Sequence, residues 1–153
     1  MSPESLFLAV NYGVLPFWAM LLVAPRWKWT QRVVHAALLP MAIGASYCVA
    51  TLKASFPEGA GGTSLAAVMR LFDRPDPWMT LALWFHYVSL DLFAGAWLIR
   101  DAVRHRIPHW LAAPCLVATN LFAPAGLLVY LAVRALTRRT LTLEEIPTRP
   151  AAS

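Results

Sequence analysis

Charge is scarce in this chain: 14% of its 153 residues are Asp, Glu, Lys or Arg, against roughly 25% in an ordinary soluble domain. Lysine is nearly missing, with Lys28 and Lys53 set against eleven arginines. Cysteine is limited to Cys48 and Cys115, both inside apolar stretches, where a small hydrophobic role is the default and a disulfide is not expected. There is no glycine-rich phosphate cradle, no nucleophile elbow and no cysteine pair. The four histidines follow no metal-ligand spacing; His105 and His109 sit in a basic turn, and only His35 and His86 are placed to serve a haem. No metal and no cofactor are therefore expected. A net charge of +5 comes without a soluble basic face carrying exposed aromatics, which excludes a nucleic-acid partner. Met1 to Ser5 lack the positive start of a cleavable signal, so the first apolar segment is expected to remain as an anchor.

What the chain has is long apolar runs: 59% of its residues are hydrophobic, and the mean hydropathy is +0.55. About 20 apolar residues at ~1.5 Å each cross a hydrocarbon core of ~30 Å. Four segments reach that length, about 5–24, 33–54, 77–100 and 109–136. Pro16 in the first cannot donate to the Tyr12 carbonyl, so a kink is expected near Asn11 and Tyr12. Ala36, Pro40, Gly44 and Cys48 space small residues every four positions along the second, a close-packing seam. Between the second and third, Leu65, Val68, Met69 and Phe72 mark one face of a helix too short to span, expected to lie on the membrane surface. Pro124 in the fourth frees the Asn120 carbonyl at membrane depth. Trp27, Trp29 and Trp110 beside Arg and Lys mark interfaces.

The fold class expected is thus an all-α membrane protein. It is a four-transmembrane-helix bundle with a short interfacial helix between helices two and three, one integral domain over residues 1–153 with a polar, poorly ordered tail from Thr137. The short turns hold six basic residues and the opposite side seven, which leaves orientation open. Predominance of Arg with abundant Ala, Leu and Pro suggests a GC-rich bacterial genome, and hence a multi-pass protein of the bacterial inner (cytoplasmic) membrane.

The stretch 77–100, PWMTLALWFHYVSLDLFAGAWLIR, is the one around which the rest is arranged. It carries His86 and Asp91 far from its ends, where an ionisable group costs roughly 2.5–3.5 kcal/mol unless it meets protein or water. Asp91 shares a helical face with Trp84, Tyr87, Ala94 and Gly95; His86 is rotated about 140° from Asp91 and cannot pair with it within the helix. With Asn11, Tyr12, Tyr47, Tyr87 and Asn120, these residues suit acid–base work on an apolar substrate. The candidate catalytic residues are His86 and Asp91, and the candidate substrate-binding residues are Asn11, Tyr12, Tyr47, Trp84, Tyr87 and Asn120. The plainer alternative makes Asp91 a buried polar staple between helices.

The stretches NYGVLPFWAMLLVAPRWKWT and WFHYVSLDLFAGAWLIRDAVRHRIPHWLAAPCLVATNLFAPAGLLVYLAVR resemble small membrane proteins of the plant neoxanthin-synthase type, the abscisic-acid-deficient-four family. The pattern rests on Asn11-Tyr12-Gly13 with Pro16, His86 with Asp91 and Gly95, and Pro114 with Pro124. The resemblance implies four membrane helices and a link to converting violaxanthin to neoxanthin, an epoxide opening that yields an allene. It assigns no catalytic residue. The function expected is acid–base isomerisation of a carotenoid or other long isoprenoid. The alternative is a non-catalytic carotenoid- or lipid-binding accessory protein that positions a partner enzyme. Expected partners are membrane lipid, the hydrophobic substrate, and a second copy of the chain or a carotenoid-pathway enzyme.

Overall fold

Proline and its capping neighbours decide where the helices begin. Ser2 accepts from the Ser5 amide at 3.3 Å and Pro3 follows it, opening helix α1, Pro3–Gly13. Asp76 accepts from the Met79 amide at 3.0 Å and Pro77 follows it, opening the long helix α5, Pro77–Arg104. The computed structural model describes residues 2–36, 38–60, 62–73 and 76–142, and every element among them is helical. The tail beyond Thr142, where poor order was expected, lies outside the described residues.

α1 is followed by α2, Leu15–Val23, across a break at Val14. The break lies two residues beyond the expected kink. Val14 keeps helical angles (φ −80°, ψ −23°), so the missing Pro16 donor is absorbed as a mild bend. The chain reverses through residues 24–29, with Thr30 Oγ1 and Gln31 Nε2 donating to the Ala24 and Pro25 carbonyls at 2.8 and 2.9 Å. It re-enters through a π-helical turn, Thr30–Val34, and continues as α3, Leu38–Lys53. α4, Leu65–Asp73, is short, and its Leu65, Val68, Met69 and Phe72 are exposed.

α5 is the axis of the molecule. α3 runs antiparallel to it: the Ser89 hydroxyl donates to the Pro40 carbonyl at 2.9 Å, Tyr47 meets His86, and Lys53 Nζ sits 4.6 Å over the Trp78 ring. α1 and α2 run parallel to it, with Phe7 against Trp84 and Trp18 against Gly95. A Cβ at Gly95 would come within 2.7 Å of the Trp18 ring, so this glycine sets how closely α2 approaches. Three stretches, Pro3–Val23, Thr30–Lys53 and Pro77–Arg104, are long and apolar enough to cross a membrane.

The expected fourth span, 109–136, is not one helix. It divides at Phe122 (φ −150°, ψ 80°) into α6, His109–Leu121, and α7, Ala123–Arg138, of 13 and 16 residues. The halves fold back as an antiparallel hairpin. A Cβ on Gly126 would overlap the Thr119 backbone, and the Arg138 guanidinium donates to the Arg106 carbonyl just before α6 begins. Pro124, unable to donate, and Gly126, without a side chain, permit the reversal where hydropathy alone reads a continuous span. The third helix also runs further than expected, to Arg104, which brings Asp101 inside it.

Candidate functional site

Both breaks in the helical pattern arrive at the same place on α5. A cavity of about 430 Å³ lies where the α1–α2 break (Asn11, Val14, Leu15, Trp18) and the hairpin tip (Asn120 to Pro124) meet Trp84, Tyr87, Val88 and Asp91. Asp91 stands about 21 Å along α5 at 1.5 Å per residue, near the midpoint of the helix. Thirteen residues of α6 reach about as far inward from the other end.

The hairpin tip contributes backbone as well as side chains. The first turn of α7 presents amides that lack intrahelical partners, and the last turn of α6 presents carbonyls in the same condition. The partial positive charge of the α7 start therefore lies at the rim of a cavity holding a carboxylate. Asp91 is half-buried and has no hydrogen bond or ion pair among the described residues.

A second, more apolar groove of about 880 Å³ begins at the same two rings. Trp84 and Tyr87 are common to both, and Phe7, Leu8, Leu81 and Leu83 continue it toward Leu71 and Phe72 of α4. Asn11, Tyr87, Asp91 and Asn120 make the first cavity polar, whereas aliphatic and aromatic surface makes up most of the second, with Glu4 and Thr80 also among its lining.

Of the residues expected to form the site, Asn11, Trp84, Tyr87, Asp91 and Asn120 line the first cavity. His86 does not. Its ring packs 5.9 Å from Tyr47 and edge-on to Tyr87 at 5.9 Å, on the side of α5 that meets α3. Tyr47 stays with His86, and Tyr12 is 64% exposed and lines neither cavity. Among the described residues no three His, Cys, Asp or Glu side chains converge on a metal position.

A second polar cluster, not expected from the sequence, lies between α5 and α7. Asp101, Tyr130 and Arg134 are buried together, with Tyr130 Oη donating to Asp101 Oδ2 at 2.5 Å and Arg134 Nη1 3.4 Å from the same oxygen. His105 Nε2 lies 3.5 Å from Asp101 Oδ1, and Arg134 Nη2 donates to the Thr142 carbonyl at 2.6 Å. Two polar residues one turn apart, Tyr130 and Arg134, were the only available signal, and it reads equally well as the end of a span.

The ABA DEFICIENT 4-like family matches residues 5–130, most of the chain and nearly all of this geometry. The chain belongs to that family. It is also 26% identical over 143 residues to the Arabidopsis thaliana protein named Protein ABA DEFICIENT 4, chloroplastic. That alignment takes in 87% of this chain and 62% of the Arabidopsis protein, so the chain spans less than two thirds of its relative's length. No solved structure matches. The family match takes in both sides of the cavity, from Asn11 through Asp91 to Pro124, and reaches Tyr130 but not Arg134.

Proposed function

We propose that this member of the ABA DEFICIENT 4-like family is an integral membrane protein that isomerises a carotenoid or another long isoprenoid by acid–base chemistry of the epoxide-opening kind. The observation that carries this reading is the cavity at mid-helix lined by Asp91, Asn11, Tyr87 and Asn120, beside an apolar groove that shares Trp84 and Tyr87 with it. An extended apolar chain fits the groove and its oxygenated end fits the polar cavity.

Epoxide opening to an alcohol conserves atoms. The C–O bond breaks, the oxygen gains a proton, and a carbon-bound proton leaves so that its electron pair forms the new double bond. Asp91 can serve as the base, and as the acid when it is protonated. Tyr87 is the other proton-bearing group on the cavity wall, whereas His86 is not among the lining residues and packs toward Tyr47. The start of α7 stabilises the oxyanion that develops as the ring opens.

Support for the membrane setting comes from the three long apolar helices and from large residues left open to their surroundings, such as Val23, Leu52 and Leu136. In this setting the α6–α7 hairpin is re-entrant: its irregular tip is covered by protein and lines a cavity, as backbone at that depth must. The apolar face of α4 rests on the membrane surface beside the groove's entrance. The arginine-rich composition supports a bacterial inner membrane as the location.

Expression in carotenoid-producing hosts, followed by chromatography of pigment extracts, tests the reading. A new isomer in at least one background is expected, and it should disappear with Asp91→Asn. Unchanged pigments across several epoxide-containing backgrounds would overturn it. The groove is open along Trp84 and Tyr87, both more than a third exposed, and that favours one alternative: a carotenoid- or lipid-binding accessory protein positioning a partner enzyme. Copurification of a chemically unaltered pigment without turnover would establish it.

A further inference from the structure

A separate cavity of about 360 Å³ opens at the far end of the molecule from α4, between the two basic turns. Its floor is apolar, with Ile99 and Ala102 of α5 buried beneath it. Arg26 of the first turn and Arg106 of the second stand at its exposed rim, and neither guanidinium has a hydrogen-bond or ion-pair partner among the described residues.

The turns that carry these arginines are braced. His109 Nε2 lies 2.6 Å from the Leu22 carbonyl and ties the second turn to the end of α2. Arg106 itself has a φ of 53°, a left-handed conformation uncommon for a residue with a side chain. The neighbouring Ile107 amide donates to the Ala102 carbonyl at 2.8 Å, and the Arg138 side chain holds the Arg106 carbonyl. Strain of this kind persists where surrounding contacts fix it, and here it sets Arg106 at the cavity rim.

Trp27, Trp29 and Trp110 are exposed around the same end, which sets the cavity at headgroup level. Two unengaged guanidinium forks above an apolar floor match a phosphate ester that carries a hydrocarbon chain. We propose that this cavity seats the phosphate of an anionic membrane lipid, with Arg26 and Arg106 on the phosphate oxygens and the start of an acyl chain against Ile99 and Ala102. The site rests on the membrane reading above but not on any chemistry at Asp91.

The test is the melting temperature of the detergent-solubilised full chain with added dioleoyl phosphatidylglycerol, dioleoyl phosphatidylcholine or inorganic phosphate. Phosphatidylglycerol is expected to raise it by about 4 °C, and the other two to leave it unchanged. The Arg26→Gln/Arg106→Gln variant should lose the rise. Lys28→Gln/Arg32→Gln should keep it, because those two cations lie at the same end but over the Trp29 ring, 6.0 and 5.7 Å from its centre. Equal rises with both lipids, or equal loss in both double variants, would reduce the effect to diffuse attraction and overturn the site. A rise with inorganic phosphate alone would overturn the lipid assignment. Should the Arg26/Arg106 variant not fold, native mass spectrometry of the unmodified protein decides: one retained phosphatidylglycerol supports the site, and no preference over phosphatidylcholine overturns it. A protein that stays in the membrane fraction but shows no lipid preference sinks this site alone, whereas one absent from that fraction sinks the membrane reading as well.

Discussion

Tyr130 donates a 2.5 Å hydrogen bond to Asp101, and through it the returning helix α7 is fastened to the axial helix α5. Both residues are buried, as is Arg134, whose Nε has no hydrogen-bond partner among the described residues. An ion pair so placed contributes little net stability while complete and costs much when half of it is removed.

Tyr130→Phe is therefore expected to cost about 1.5–3 kcal/mol, the range for a hydrogen bond to a charged acceptor. Arg134→Leu alone should cost about 3–5 kcal/mol, because it removes the guanidinium from the buried Asp101 carboxyl. The double variant Asp101→Leu/Arg134→Leu should recover part of that loss. Denaturation in detergent measures all three. Strict additivity would show that the pair is not coupled.

Gly126→Ala reports on the hairpin. A methyl group there overlaps the Thr119 backbone, so α6 and α7 must separate, at an overpacking cost of about 1–3 kcal/mol. Were 109–136 one continuous span, alanine would instead stabilise it as the better helix former. The sign of the change in melting temperature distinguishes the two.

Asp91→Asn should melt within about 0.5 kcal/mol of the parent protein, or above it, since no partner is lost when the charge goes. Turnover should fall at least 100-fold, the scale of a positioned proton carrier. Asp91→Leu is the comparison. Loss of function that tracks loss of stability in both variants would reduce Asp91 to a staple.

Tyr87→Phe should lower turnover and leave melting nearly unchanged, because its half-exposed ring keeps its packing and loses only the hydroxyl. His86→Phe should retain most activity, since His86 touches the α3 side of α5 rather than the cavity. A pigment assay in which His86→Phe is dead and Tyr87→Phe is active would reverse those roles.

Much of the cavity's lining was legible because helical spacing on α5 is short-range information. Trp84, Tyr87 and Asp91 share a face by arithmetic alone, and the prolines near Asn11 and Asn120 flag irregular backbone. His86 belongs with Tyr47 for a reason that spacing cannot supply: only the packing of α3 decides which face of α5 looks toward it. The hairpin was hidden for a similar reason. Hydropathy registers that 109–136 is apolar but not that it turns, and the turn depends on Gly126 fitting against Thr119. Asp101 and Arg134 read as boundary charges until that fold brings them together.

In the membrane setting proposed above, the hairpin would also decide the sidedness of the chain. Four crossings would return residue 138 to the side on which the chain starts; three crossings and a loop that dips and withdraws leave the two ends on opposite sides. Arg134, Arg138 and Arg139 then join Arg26, Lys28, Arg32, Arg100, Arg104 and Arg106 on one side, while among the described residues only Lys53 and Arg70 remain on the other. A near tie becomes a strong bias, which predicts that the two basic turns face the cytoplasm. With Cys48→Ala as background, Thr63→Cys should accept an impermeant thiol reagent from outside intact cells, and Thr137→Cys should accept it only after lysis. Labelling of both from the same side would restore the fourth crossing.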